Sequence, residues 1–423
     1  MLSREVYNEY TALLKRELIE ATGCTEPIAL ALAAAKARGV LGEIPEEVEI
    51  YCSGNIVKNV KAVVVPNSGG LKGIKAAALL GIVAGDENAS LQVISHVDDE
   101  GRKALYDALE HIRVKTILAE KVPPLYILIK VRKGYNTAEV EIAQTHTNVT
   151  KIVKNDEVIY SQDFDRDAVV GIETDLMNIN DIIEYAETVD LDDVRETIER
   201  QIADNTAISL EGLTGKWGEK VGRTLLDEYG DSIVIRARAA AAAGSDARMN
   251  GCAMPVVINS GSGNQGMTVS LPVIEYAKEM NVSHDKLLRA LVLANLMALH
   301  QKKYIGYLSA YCGAVSAGAG AGCGICWLKG GSRQMIADTM INAMATIGGM
   351  VCDGAKSSCA GKISLSIEAA LQGMKMAEKG LRYRPGEGIV KSDDDETVKA
   401  VGRMGREGMK STDLEILHIM LED

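Results

Sequence analysis

Apolar and polar positions follow two different rhythms along the chain. From 4 to 20, "REVYNEYTALLKRELIE" places apolar residues at helical spacing, which predicts an amphipathic helix. "TGCTEP" interrupts it, and an alanine-rich helix follows from about Glu26 to Arg38, closed by Gly39. From 46 to about 160 the rhythm changes. "EVEIYCSG" alternates at period two, "KAVVVPNSGG" reads as a strand entering a glycine turn, and "PLYILIKVRKGYNTAEVEIAQ" reads as a hairpin. Two helical pieces, "GIKAAALLGIVAG" and "EGRKALYDALEHI", lie between these strands. After acidic helices at 179 to 210, the pattern is helices joined by glycine-rich loops up to the C-terminus. The expected class is therefore α+β, a large all-α part with a smaller α+β unit inserted. The expected divisions are N-terminal helices at 1–44 packing on the all-α part, an α+β unit at 45–165, and an all-α part at 166–423.

Composition changes this picture in three ways. With 423 residues, 47% apolar and 25% charged, the chain can bury one large core or two ordinary ones. Aromatics are only 4%, so Ala, Leu, Ile, Val and Met must fill the core, a diet that suits close helix packing. The net charge of −12 repels phosphate backbones, and no basic run interleaved with aromatics occurs, so nucleic acid is not an expected partner. The charged, helical start lacks the form of a signal peptide, which makes the cytoplasm the expected location. Ile305 to Leu328 carries no charge over a length that could cross a bilayer. Its Gly, Ser and Ala content makes it weakly hydrophobic, and a buried, closely packed helix is expected instead of a membrane partner.

The chemistry turns on eight cysteines: Cys24, Cys52, Cys252, Cys312, Cys323, Cys326, Cys352 and Cys359. A chain of this size in a reducing compartment needs no disulfide staples. Cys52 and Cys252 suit small buried positions. Cys323 and Cys326 form a C-x-x-C without a second pair inside a glycine–alanine helix, where packing outweighs ligation. Cys352 and Cys359 differ, lying in the turn-rich loop "MVCDGAKSSCAGKIS" at 350–364. Cys359 also begins a helix, and Cys24 precedes one, positions at which the N-terminal dipole favours a thiolate. Cys312, some forty residues earlier, supplies a third partner. Three cysteines from two distant segments fit an iron–sulfur cluster with one open iron better than a structural zinc site, which takes a fourth protein ligand.

Eight ordered strings carry a resemblance: "GCTEP" (23–27), "SGNIVKN" (53–59), "THTN" (145–148), "GKWG" (215–218), "SDARM" (245–249), "NSGSGNQG" (259–266), "LSAYC" (308–312) and "CDGAKSSCA" (352–360). Together they resemble the L-cysteine desulfidase family, which is related to the iron–sulfur L-serine dehydratases. The resemblance implies an oxygen-sensitive [4Fe-4S] enzyme, independent of pyridoxal phosphate, that converts L-cysteine to pyruvate, ammonia and sulfide. It places the cluster on Cys312, Cys352 and Cys359, and leaves open whether Cys24 binds the fourth iron or serves in catalysis.

A base must then remove the substrate's Cα proton. His146 is the first candidate and Cys24 the second; the plain alternative for His146 is a polar residue at a strand end. "NSGSGNQG" can form a nest of backbone N–H groups for the substrate carboxylate, with Ser260, Ser262, Asn264 and Gln265 as side-chain donors. Arg248 could pair with that carboxylate, or with an internal acid. Asn55, Lys58 and Asn59 would contribute from the α+β unit. The expected partner is thus a small amino acid, with a homo-oligomer left open. An L-serine dehydratase, or a metal-binding protein without enzymatic activity, are the alternatives.

Overall fold

The computed structural model describes residues 2–164 and 171–422. Helices dominate, and one six-stranded sheet is confined to 47–161, giving the α+β class expected. Glu47–Cys52 lies between Arg113–Leu118, its parallel neighbour, and Tyr126–Lys133, its antiparallel one. Asn136–Ala143, Val149–Lys154 and Glu157–Ser161 extend the sheet by antiparallel pairing. The alternation read in "EVEIYC" is real, with Val48, Ile50 and Cys52 buried and the residues between them partly exposed. "KAVVV" is not a strand. It forms turns with one isolated bridge, Val64 to Lys72, because the chain here must pass from Gly54–Val60, a short helix, into Gly73–Ala84.

The helix Thr25–Leu41 corrects the expectation for the N-terminus. Arg4–Glu17 does lie on the helical part, against His284–Ile305 and Ile179–Thr188. Thr25–Leu41 instead covers the sheet and lies along Gly73–Ala84. Its alanines explain why: a Cβ at Gly81 would stand 2.2 Å from the Ala31 carbonyl oxygen, so the two backbones nearly touch. Glu20–Thr22 ties the same segment to the other part by pairing with Pro255–Val257, a short strand in a region expected to be wholly helical.

Gly313–Leu328 is the centre of the helical part, flanked by Gly263–Glu279, His284–Ile305, Arg333–Ile347 and Cys359–Ala377. Gly320 and Gly324 meet the Ala294 and Ala290 carbonyls so closely that a Cβ would come within 2.5 and 2.9 Å. The uncharged stretch is thus a core helix wrapped by protein, and among the described residues no helix is long and apolar enough to cross a membrane. Cys323 and Cys326 are buried inside it, with the Cys323 thiol against the Ile336 carbonyl at 3.5 Å.

Asp246, on the helix Ile233–Met249, is fully buried and accepts the Gly222 N–H at 2.9 Å. Its second oxygen has no hydrogen-bond partner. Burial, helped by Glu219 and opposed by the Gly222 and Val221 amides, pushes its pKa up from 3.8 to about 6. The folded state therefore binds this proton more tightly than the unfolded one. The stabilising contribution is complete below pH 3.8 and is lost as pH rises through about 6. Asp246→Asn keeps the acceptor and removes the buried charge. At pH 8 it is expected to unfold at higher denaturant, by about 1–3 kcal/mol, and at pH 4 to match the parent. Equal stability of the two chains at pH 8 would refute this reading.

Candidate active site

Four helices point their N-termini into one cavity of about 100 Å³. They begin at Thr25, Gly263, Gly313 and Cys359, and Cys24, Ser262 and Cys312 are the residues that cap the first three. Unsatisfied amides and the positive ends of four dipoles thus gather at one place in an otherwise acidic protein. That is the structural meaning of the cysteines seen at helix starts.

Cys312 and Cys352 are held together by backbone. Tyr311 and Val351 form an isolated antiparallel bridge, with Cys312 N–H donating to Met350 O at 2.9 Å and Cys352 N–H to Ala310 O at 2.6 Å. The loop then turns at Gly354, whose φ of +94° and 2.2 Å Cβ clearance to the Lys58 carbonyl admit only glycine. This brings Cys359 back to the cavity, where its thiol faces the Gly354 carbonyl at 3.6 Å. Ser357 Oγ bonds Asn250 Oδ1 at 3.2 Å, fixing the loop to the helix that carries Arg248. Burial pushes the Cys312 thiol up to about 12, aided by the neighbouring Cys352, and raises Cys359 as well.

Among the described residues, no three His, Cys, Asp or Glu side chains converge on a point where one metal ion would sit. Thiolates of a cluster bind separate irons and stand further apart than ligands of a single ion. The donor set fits such a group: three free, half-buried thiols round one cavity, set among helix N-termini that would offset their negative charge as thiolates.

Cys24 shares the cavity and is 3% exposed, packed near Cys359. Its Sγ donates to Glu26 Oε2 at 3.0 Å. Glu26 Oε1 accepts from Asn59 Nδ2 at 3.0 Å and lies 3.9 Å from His146 Nε2, an ion-pair separation without a hydrogen bond. Thr25 Oγ1 donates to the Gly261 carbonyl at 2.8 Å, closing the cluster of polar groups. Burial acts to raise the Glu26 carboxyl, but the neighbouring His146 side chain and the Cys24 donor overcome it and hold the pKa at about 2. Burial and the Glu26 charge push the Cys24 thiol well above its ordinary range. This corrects the expectation of a thiolate at the helix start: the carboxylate two residues on outweighs the dipole, and Cys24 keeps its proton.

Arg248 is 2% exposed and lines the cavity, and its Nε and Nη2 have no hydrogen-bond partner. Among the described residues no carboxylate pairs with it. Gly263 explains one glycine of "NSGSGNQG", since a Cβ there would stand 2.5 Å from Arg248 Nε. Ser260, Ser262, Asn264 and Gln265 all line the same wall, and the Asn264 and Gln265 side-chain oxygens lack partners. His146 and Asn59 are also at the cavity.

Two candidates are elsewhere. Lys58 is buried in an ion pair with Asp413 of Lys410–Glu422, and Asn55 lines a separate cleft against that C-terminal helix. Only Asn59 of the "SGNIVKN" string turns inward, because successive residues of this short helix face different neighbours. Glu26, Lys302 and Tyr307 line the cavity too, although none was singled out by sequence. Tyr307 donates to Glu17 Oε1 at 2.7 Å. Burial lowers the Lys302 pKa to about 8, against the opposing pull of Cys352 and Cys312.

Proteins named UPF0597 from Finegoldia magna, Lachnoclostridium phytofermentans and Desulfitobacterium hafniense are 49%, 48% and 48% identical to this chain. Each alignment covers 98% of the chain, and 99%, 100% and 97% of the relative respectively. The pattern of the family described as serine dehydratase alpha chain matches residues 88–418. That span runs through Arg248, Lys302 and three of the four cysteines at the cavity wall, Cys312, Cys352 and Cys359, and on this ground the chain belongs to the serine dehydratase alpha chain family.

Proposed function

We propose that the chain is an iron–sulfur L-cysteine desulfidase, releasing pyruvate, ammonia and sulfide from L-cysteine without pyridoxal phosphate. Membership of a dehydratase family already implies a lyase-type enzyme. The observation that carries the finer reading is the pair of features in one cavity: three free cysteines, two of them at helix N-termini and one in the loop between, and a buried, unpartnered Arg248. The thiols suit a [4Fe-4S] cluster held by Cys312, Cys352 and Cys359, and the guanidinium suits a substrate carboxylate.

In this reading Arg248 and the first amides of Gly263–Glu279 hold the carboxylate, with Asn264 and Gln265 beside it. When bound, the cluster would supply a Lewis-acid iron that draws electron density from the departing sulfur. His146 takes the Cα proton, because its Nε2 has no hydrogen-bond partner and Cys24 is already protonated. Glu26 stays anionic at neutral pH, steadies the imidazolium formed and keeps the Cys24 thiol protonated at the cavity wall. Asn59 fixes the Glu26 carboxylate. The Cα proton and sulfide are thereby removed, and the aminoacrylate left behind tautomerises and hydrolyses in water to pyruvate and ammonia.

L-serine would react by the same steps with hydroxide leaving, and the family's name favours that second reading. Pyruvate release from the two amino acids, measured side by side under anaerobic conditions, separates them. The proposal expects L-cysteine to give the higher kcat/KM by at least about tenfold, a 1.4 kcal/mol preference. A preference for L-serine would make the chain a serine dehydratase, and release from neither would refute both.

A further inference from the structure

Lys302 has no part in the reaction as described, yet its placement is unusual for a lysine. It lies in the last turn of His284–Ile305, is 2% exposed, and lines the cavity with the cysteines. The adjacent Lys303 behaves ordinarily, reaching Asp175 at 3.4 Å near the surface. Lys302 Nζ makes one hydrogen bond, donating to the Tyr307 carbonyl at 3.3 Å. Among the described residues no carboxylate pairs with it, although an ammonium carries three donors. A buried cation with no counter-ion is costly, so an anion belongs beside it.

Two anions are expected in this cavity, and the two buried cations are divided between them. Arg248 stands by Cys24 and the start of Gly263–Glu279, the wall assigned to the substrate. Lys302 lines the cavity with Cys312 and Cys352, its Nζ held by the Tyr307 carbonyl in the loop that leads into Cys312. Lys362 does not fill this place, since it is engaged by Asp353 and by the Val351 carbonyl at 2.8 Å. We propose that Lys302 is the counter-charge of the iron–sulfur cluster, a positioning residue whose buried ammonium balances the Cys312 and Cys352 thiolates and favours the reduced state. The inference rests on the cluster reading above. It follows from elementary electrostatics: a fixed cation in a dry site lowers the free energy of adding an electron next to it.

The full chain, reconstituted anaerobically with iron and sulfide, provides the test. The readouts are iron content and the one-electron midpoint potential followed by electron paramagnetic resonance. Lys302→Met keeps length and removes charge, and it is expected to disfavour reduction by about tenfold, which is 59 mV toward more negative potential. Lys302→Arg, which keeps the charge, is expected to stay within a third of that shift. A Lys302→Met protein that melts like the parent but loses iron, with iron regained in Lys302→Arg, supports the proposal equally. Wild-type potential and iron content in Lys302→Met would overturn it, as would an equal shift in Lys302→Arg. Wild-type chain that takes up no iron would overturn the cluster reading, and this inference with it.

Discussion

Serine in place of Cys312, Cys352 or Cys359 is expected to cut bound iron to less than half of the parent value. Pyruvate release should fall by more than about a hundredfold, beyond the 10–100-fold typical of losing an outer-shell partner. A thiolate is a soft ligand and a serine hydroxyl is not. The three positions also cannot stand in for one another: two are set by the Tyr311–Val351 bridge and the third by the start of Cys359–Ala377. Serine at Cys323 or Cys326 should leave iron unchanged, since both thiols are enclosed by Gly313–Leu328 and its neighbours. Iron and acid-labile sulfide assays on the five variants check this. Full iron retention in the first three would remove the ligand assignment.

Arg248→Met should give the second large effect. Removing one member of a buried charge pair costs about 2–5 kcal/mol, so kcat/KM is expected to fall about 30- to 5,000-fold. Most of the loss belongs in KM, because the carboxylate contact is made before and during the reaction alike. The fold should not suffer, since without substrate the guanidinium is a buried charge whose Nε and Nη2 lack partners. Steady-state kinetics with a thermal melt resolve the two contributions. A loss below about tenfold, or a melt lowered in step with activity, would make Arg248 structural.

The cysteines were legible because their signal is local. A cysteine directly before or at a helix start announces itself in sequence, and the three such positions, Cys24, Cys312 and Cys359, all reach the cavity. Choices of face were not local. "SGNIVKN" is a rich polar string, but Lys58 finds Asp413 some 355 positions away and never reaches the site. Cys24 failed as a thiolate for a related reason, since the rotamer that turns Glu26 back onto it is set by Asn59 and Thr25. Lys302 left a signal that could have been read: Leu288, Leu291, Asn295, Ala298, Lys302 and Ile305 form one buried helical stripe, and a lysine in such a stripe is out of pattern. In the fold, the alternating strand and the hairpin showed their period of two. "KAVVV" had the composition of a strand but no neighbour to pair with, and composition alone does not supply one.

The most direct measurement follows pyruvate release from L-cysteine by the anaerobically purified chain, before and after its iron is removed by a chelator and then restored with iron and sulfide. Activity is predicted to fall with iron and to return with it, in protein that holds about four irons per chain when fully active. Pyruvate release that persists undiminished in iron-free protein, or iron-replete protein that releases none from either amino acid, would contradict a cluster-dependent elimination at this cavity.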